Sequence, residues 1–347
     1  MGMAVGLSLL MAGMQAQISL PSVFADHMVL QQKSEVPVWG WGDASATVKV
    51  VGSWAPKDTA TATVRSDGSW DTTLKTAAAG GPYTLSVLGN GSCELKDVML
   101  GEVWLCSGQS NMEWTPMANI DNRDEEIAAA DYPNIRFFHI PKRGAATPQN
   151  NCEASWATCT PDVMKNTSAV AYFFGRDLQK DLNVPIGLIV SAWGGTPAEV
   201  WTPEELVMDN PRLRDAMPDK TYPWWPVEPG VLYNQMINPV TPYALAGAIW
   251  YQGESNRDHP DSYGILMKTM IESWRKSFKK DFPFYLVQIA PFTYNAGDNG
   301  AALVREHQEW VARTVPGCGM VAISDCVADL KNIHPNRVSD FVWLIWS

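Results

Sequence analysis

The segment Ser107-Gly108-Gln109-Ser110-Asn111-Met112 follows an apolar run, Val98 to Cys106, that reads as a buried strand. A serine in a small-residue turn at the carboxyl end of a strand is placed to act as a nucleophile, although the same serine also suits a helix N-cap. The turn is not the G-x-S-x-G elbow, because Met112 stands where the second glycine belongs. A nucleophilic serine needs a base, and the chain offers five histidines: His27, His139, His259, His307 and His334. His27 falls in a β-rich region and His307 in the middle of a charged helix, while His139 and His259 flank loops within reach of the turn. His334, in Asn332-Ile333-His334-Pro335, follows the last expected strand, and its position favours it as the base. Two acids compete to orient it: Glu254, which ends the segment Ile249 to Glu254, and Asp329, five residues before His334. In Ser191-Ala-Trp-Gly194-Gly195-Thr-Pro197 the glycines let backbone N–H groups approach a developing oxyanion, although a Gly-Gly turn alone is ordinary loop chemistry.

Elements that position these groups are visible in the patterning. From Pro21 to about Lys96 short alternating runs broken by turn residues predict a small antiparallel β-sandwich. After Asp97 apolar strands alternate with helices: Val98 to Leu105, a helix from Ala169, Pro185 to Val190, Ala246 to Trp250, a helix from Ser262 to Lys276, Phe284 to Ile289, a helix around Arg305 to Arg313, and Gly319 to Ile323. That rhythm predicts an α/β fold with a doubly wound parallel sheet, whose ligands sit beyond the carboxyl ends of the strands. The expected division is 1–16 as a signal peptide, 17–97 as the β-sandwich and 98–347 as the α/β domain. The Pro- and Trp-rich stretches 115–166 and 202–243 read as long loops walling the functional edge.

Composition narrows the partners. The 26 Lys plus Arg against 37 Asp plus Glu leave a net charge of −11 without a basic cluster, which argues against nucleic acid or an anionic membrane surface. The 16 tryptophans outnumber either the tyrosines or the phenylalanines, and Trp114, Trp193, Trp201, Trp224, Trp225 and Trp250 fall in segments where they either pack or face a sugar ring. Residues 4 to 14 form an apolar run of signal-peptide length, too short to span a bilayer, with Ala16 as the expected cleavage point and an export to the periplasm or medium as the consequence. Six cysteines fit either one or two disulfides, with Cys152/Cys159 and Cys318/Cys326 as the local pairs, or six buried thiols; no spacing suggests a metal.

Taken together, Gly108-Gln-Ser-Asn-Met, Trp193-Gly-Gly-Thr-Pro, Trp250-Tyr-Gln-Gly-Glu-Ser-Asn and Ile333-His-Pro resemble the sialate O-acetylesterase family of SGNH-type carbohydrate esterases. Phe24-Ala-Asp-His-Met-Val-Leu-Gln-Gln resembles that family's amino-terminal β domain, so the likeness runs from residue 18 to 336. The resemblance implies an SGNH, flavodoxin-like sheet and removal of O-acetyl groups from glycans, sialic acid or xylan, through an acetyl-serine and without a cofactor. It implies Ser110 as nucleophile, His334 as base and Glu254 as acid. The oxyanion hole would come from the N–H groups of Ser110 and Gly195 and the Gln252 amide, with Asn111 bracing the nucleophile turn; independently of the resemblance, Trp193, Trp250 and Trp114 are the tryptophans expected to meet the sugar. Two departures stand out. Many SGNH hydrolases carry an Asp three residues before the His, where this chain has Lys331, which leaves Glu254 and Asp329 in competition. Related proteins also continue well past the His-Pro turn, whereas this chain stops at Ser347 and reads as truncated; that keeps open an inert carbohydrate-binding protein.

Overall fold

The computed structural model describes residues 18–218, 221–295 and 297–342, so the expected signal segment lies outside the described residues. Thirteen strands are present among them: β1 Val29–Gln31, β2 Glu35–Trp41, β3 Thr47–Gly52, β4 Thr59–Thr63, β5 Ser69–Lys75, β6 Gly80–Gly89, β7 Gly91–Gly108, β8 Tyr132–His139, β9 Trp156–Cys159, β10 Ile186–Ala192, β11 Gly247–Tyr251, β12 Phe284–Val287 and β13 Cys318–Val321.

β7 is the axis of the molecule. Its first half pairs antiparallel with β6, and its second half pairs in parallel with β10 on one side and β11 on the other. The expected border at residue 97 therefore falls inside one continuous strand. Asp97 itself has φ +53°, a left-handed conformation that non-glycine residues hold only when their surroundings impose it. Here buried Arg136 supplies the tie, donating to the Asp97 carbonyl at 2.8 Å and to its carboxylate at 3.1 Å.

Before that point, alternation does the work that the sequence pattern predicts. Val36 and Val38 of β2 with Trp70 and Leu74 of β5 face Val48, Val50, Leu85 and Val87 of β3 and β6 in one apolar core, closing a two-sheet sandwich. Beyond it the main sheet runs β13-β12-β11-β7-β10-β8-β9, parallel except for β9. With β8 and β9 set aside, the order of the other five is the flavodoxin-like one, and the winding reverses between β7 and β11. Alternate residues of β7 serve opposite faces. Val103 and Leu105 join the core with helix Tyr263–Ser277, while Trp104 and Cys106 join helix Ala169–Leu182.

The stretch 115–166 is not the unbroken loop expected, since it contains β8 and β9, which extend the sheet edge. Pro133, Asn134 and the charge of Arg136 hide β8 in the sequence, and its burial pattern shows why it is a strand: Ile135 to Phe138 are all buried. The six cysteines are free thiols, so neither local pair forms a disulfide. No helix among the described residues is long and apolar enough to cross a membrane.

Candidate active site

At the reversal point between β7 and β11 the two backbones approach closely. Gly108, the last residue of β7, has φ +144°, and a Cβ there would stand 2.1 Å from the Tyr251 carbonyl oxygen; only glycine permits this approach. The next residue fastens the turn: Gln109 N–H donates to Tyr251 O at 3.0 Å, and its Oε1 accepts from the N–H groups of Gly253 and Ser255, each at 3.3 Å. Ser110 then opens the one-turn helix Ser110–Glu113. Gln109, not Ser110, holds the N-cap position, and no side chain caps this helix, so the serine hydroxyl is not spent on capping.

The turn after β10 packs onto this one. Trp193 N–H donates to Gly108 O at 3.1 Å, and Gly194 N–H donates to Glu113 Oε2 at 2.6 Å. A Cβ on Gly194 would lie 3.1 Å from the Cβ of Ser110, which measures how tightly the glycine turn abuts the serine. Gly195 follows with φ +80°, and the Trp225 ring occupies the space a side chain would need, 2.4 Å from an added Cβ. Lys142 donates to the other oxygen of Glu113 at 2.5 Å and completes a bracket around the glycine turn.

These turns open on a cavity of about 790 Å³ whose wall includes Ser110, Trp193, Gly194, Gly195, Glu254, His259 and His334. That is the size range of sites for small molecules. The structure thus brings Ser110, Gly195, Glu254 and His334 together from four separate segments. Asp329 is exposed and is not in the wall; its carboxylate accepts the N–H of Lys331 at 2.8 Å and shapes the loop instead.

Imidazole and carboxylate share no hydrogen bond. The His334 ring stacks on Trp114, with centroids 4.0 Å apart and planes 13° from parallel, and its Nε2 is buried without a hydrogen-bond partner. Burial lowers its pKa below the usual imidazole value, so the ring is neutral at pH 7. Glu254 accepts from Asn111 Nδ2 at 2.7 Å through Oε1, and its Oε2 is buried without a partner. Burial raises this carboxyl to about 7. Asn111 also donates to Ile333 O at 3.1 Å, so it joins the serine turn, Glu254 and the histidine loop at one point.

Two residues expected at the ligand face elsewhere. Trp250 is fully buried, packed edge-on against Trp201 and Trp274, because both faces of a central strand are covered. Gln252 is also fully buried and is not in the cavity wall. Its amide nitrogen donates to Thr196 O at 3.2 Å and Asn256 Oδ1 at 2.7 Å, which commits both of its protons. Trp193 does line the cavity, and Trp114 reaches it through His334.

Beyond the residues singled out from sequence, the wall includes Glu113, Lys142, Glu199, Asn256 and Arg257. Glu199 was the most legible of these, a lone acid inside the apolar run Ala198 to Trp201. It is buried, accepts from Asn256 Nδ2 at 2.8 Å, and is raised to about 7 by desolvation. Asn256 in turn accepts the N–H of Ala198 at 2.9 Å, so this buried network ties the turn after β10 to the turn after β11.

A serine, a neutral histidine and a glycine turn gathered at the carboxyl edge of a flavodoxin-like sheet define the α/β esterase class. Comparison with known proteins agrees and is more specific. The family described as carbohydrate esterase, sialic acid-specific acetylesterase, matches residues 100–342. Mouse sialate O-acetylesterase (Mus musculus) is 32% identical, with 90% of this chain and 69% of that protein covered; the human protein (Homo sapiens) is also 32% identical, covering 90% and 67%. A carbohydrate acetylesterase from Xanthomonas citri has a crystal structure that superposes with a TM-score of 0.83 at 35% identity, over 94% of this chain and 73% of that one. The chain belongs to the sialic acid-specific acetylesterase family, and it is an O-acetyl-removing carbohydrate esterase, a carboxylic ester hydrolase.

Proposed function

We propose that the chain removes O-acetyl groups from sialic acid in glycans by two-step acyl transfer through Ser110. The observation that carries this reading is the presence, in the wall of one cavity, of a serine not engaged in helix capping and a histidine whose buried Nε2 has no hydrogen-bond partner. The Ser110 oxygen attacks the acetyl carbonyl while His334 takes its proton. The tetrahedral oxyanion is received by the N–H groups of Ser110, free at the first position of its helix, and of Gly195. Collapse breaks the bond to the sugar oxygen, which leaves with the proton from His334. Water, deprotonated by the same imidazole, then cleaves the acetyl-serine, releasing acetate and restoring the hydroxyl.

Glu254 is the acid of this site in preference to Asp329, since it alone of the two shares the cavity with His334. It acts through Asn111 on the backbone of the histidine loop, with Trp114 holding the plane of the ring. Gln252 supports the oxyanion turn from behind by way of Thr196. The name of the mammalian relatives supports sialic acid as the substrate. One observation favours a second reading, neutral acetylated sugars such as those of xylan: the cavity wall carries Glu113, Glu199, Glu254 and Asp258 against Lys142 and Arg257.

Acetate release from 4-nitrophenyl acetate, O-acetylated sialic acid and acetylated xylo-oligosaccharides, each beside Ser110→Ala, tests the proposal. Turnover that vanishes in the variant and is fastest on sialic acid supports it. Fastest turnover on the xylo-oligosaccharides selects the second reading, and turnover retained in a folded Ser110→Ala protein refutes the mechanism. Export is part of the same proposal and rests on the apolar run 4–14; a mature protein that retains those residues would contradict it.

A further inference from the structure

The cavity does not end at the reacting groups. Its wall residues Ala216, Asp258 and His259 also line a neighbouring depression of about 320 Å³. That depression shares Arg212 and Asp261 with a third, of about 200 Å³, which ends at Trp310. The three adjoin in series across one face, from Ser110 to the outer surface of helix Gly300–Thr314.

The far end is built as a platform. Trp310 is 41% exposed, one of few large aromatic side chains left so open among the described residues. Its ring is seated on Gly264, where an added Cβ would lie 3.1 Å from the indole and 2.8 Å from the His307 ring. The absence of a side chain at Gly264 thus lets Trp310 lie close against the start of helix Tyr263–Ser277 while keeping solvent contact. Between platform and cavity the lining is polar and carries Asp258, Asp261 and Asp215 with Arg212. Carboxylates accept hydrogen bonds from hydroxyls, and an open indole face packs on the C–H face of a pyranose. Acidic side chains along the path favour neutral sugars over further anionic ones.

We propose that this path is an extended oligosaccharide-binding groove. It holds neutral sugar units linked to the acetylated residue at Ser110, with Trp310 as the most distant contact. The proposal rests on the esterase reading of the Ser110 cavity and adds the chain length of the substrate to it. The site would then prefer an acetyl group carried on an oligosaccharide to the same group on a free monosaccharide.

The test compares Trp310→Ala and Trp310→Phe with the parent protein on three substrates: 4-nitrophenyl acetate, an O-acetylated monosaccharide, and O-acetylated oligosaccharides of increasing length. The expected result is unchanged turnover on the first two, and a KM for the longer oligosaccharides raised several-fold to about tenfold in Trp310→Ala, partly restored in Trp310→Phe. Equal KM values for parent and Trp310→Ala at every length overturn the groove while leaving the esterase reading intact. Titration of the deacetylated oligosaccharides into Ser110→Ala and into Ser110→Ala/Trp310→Ala separates the two claims further. Binding that weakens with the tryptophan removed upholds the groove even if acetate release fails, and binding unaffected by its removal refutes it.

Discussion

Replacing Glu254 by Gln should make the protein more stable at pH 8 than the parent and leave it equally stable at pH 4. The reason is the buried carboxyl, whose pKa stands at about 7 in the folded protein against an ordinary 4.5. A carboxyl raised on folding binds its proton more tightly in the folded state, so stability is fully present below 4.5 and is lost as the pH climbs to 7 and beyond. At about 1.4 kcal/mol per pH unit, the interval from 4.5 to about 7 amounts to roughly 3 kcal/mol of lost stability at pH 8. Glutamine keeps the shape and the acceptor for Asn111 Nδ2 at Oε1, and it has no charge to desolvate. Urea unfolding of parent and Glu254→Gln at pH 4, 6 and 8 reads the effect as a gap that is absent at the lowest pH and widens with pH. Glu199→Gln should behave in the same direction, since burial raises Glu199 to about 7 as well. A gap between parent and Glu254→Gln that does not vary with pH would refute the reasoning, because it would mean that the carboxyl ionises as readily inside the fold as outside.

Further outcomes follow from the same geometry. The acidic limb of kcat/KM should have its midpoint below the usual imidazole pKa, because burial depresses His334 and the neutral ring is the active form; a limb centred well above 6.5 would contradict the assignment. Gly195→Ala should lose about 1–2 kcal/mol of stability from the left-handed backbone alone and displace the Trp225 ring, with kcat falling by about tenfold or more as the oxyanion turn shifts; denaturation and steady-state rates measure the two effects separately.

The parallel strands were legible because a strand covered on both faces appears as an unbroken apolar run, as in Ile186 to Ala192, whose seven residues are all buried. The same continuity concealed the role of Trp250. In such a strand no alternation separates a core aromatic from a ligand-facing one, and only the packing against Trp201 and Trp274 decides it. β8 was hidden by Pro133, Asn134 and Arg136, and what makes Arg136 acceptable inside the fold is a set of partners 39 to 109 residues away in the chain. The serine and glycine turns were visible as small-residue breaks after apolar runs and His334 by its position after the last strand, and the structure places all three at one cavity. The engagement of Gln252 by Thr196 and Asn256, and of Glu254 by Asn111, depends on the orientation of buried side chains, which residue spacing does not encode.

The central claim is that Ser110 carries the acetyl group. Its most direct test is covalent trapping with a diethyl aryl phosphate, followed by peptide mass spectrometry. The account predicts stoichiometric loss of esterase activity, with a single phosphoryl adduct on the peptide that contains Ser110 and none in His334→Ala. Activity that survives labelling, or an adduct on another residue that accompanies the loss of activity, would contradict it.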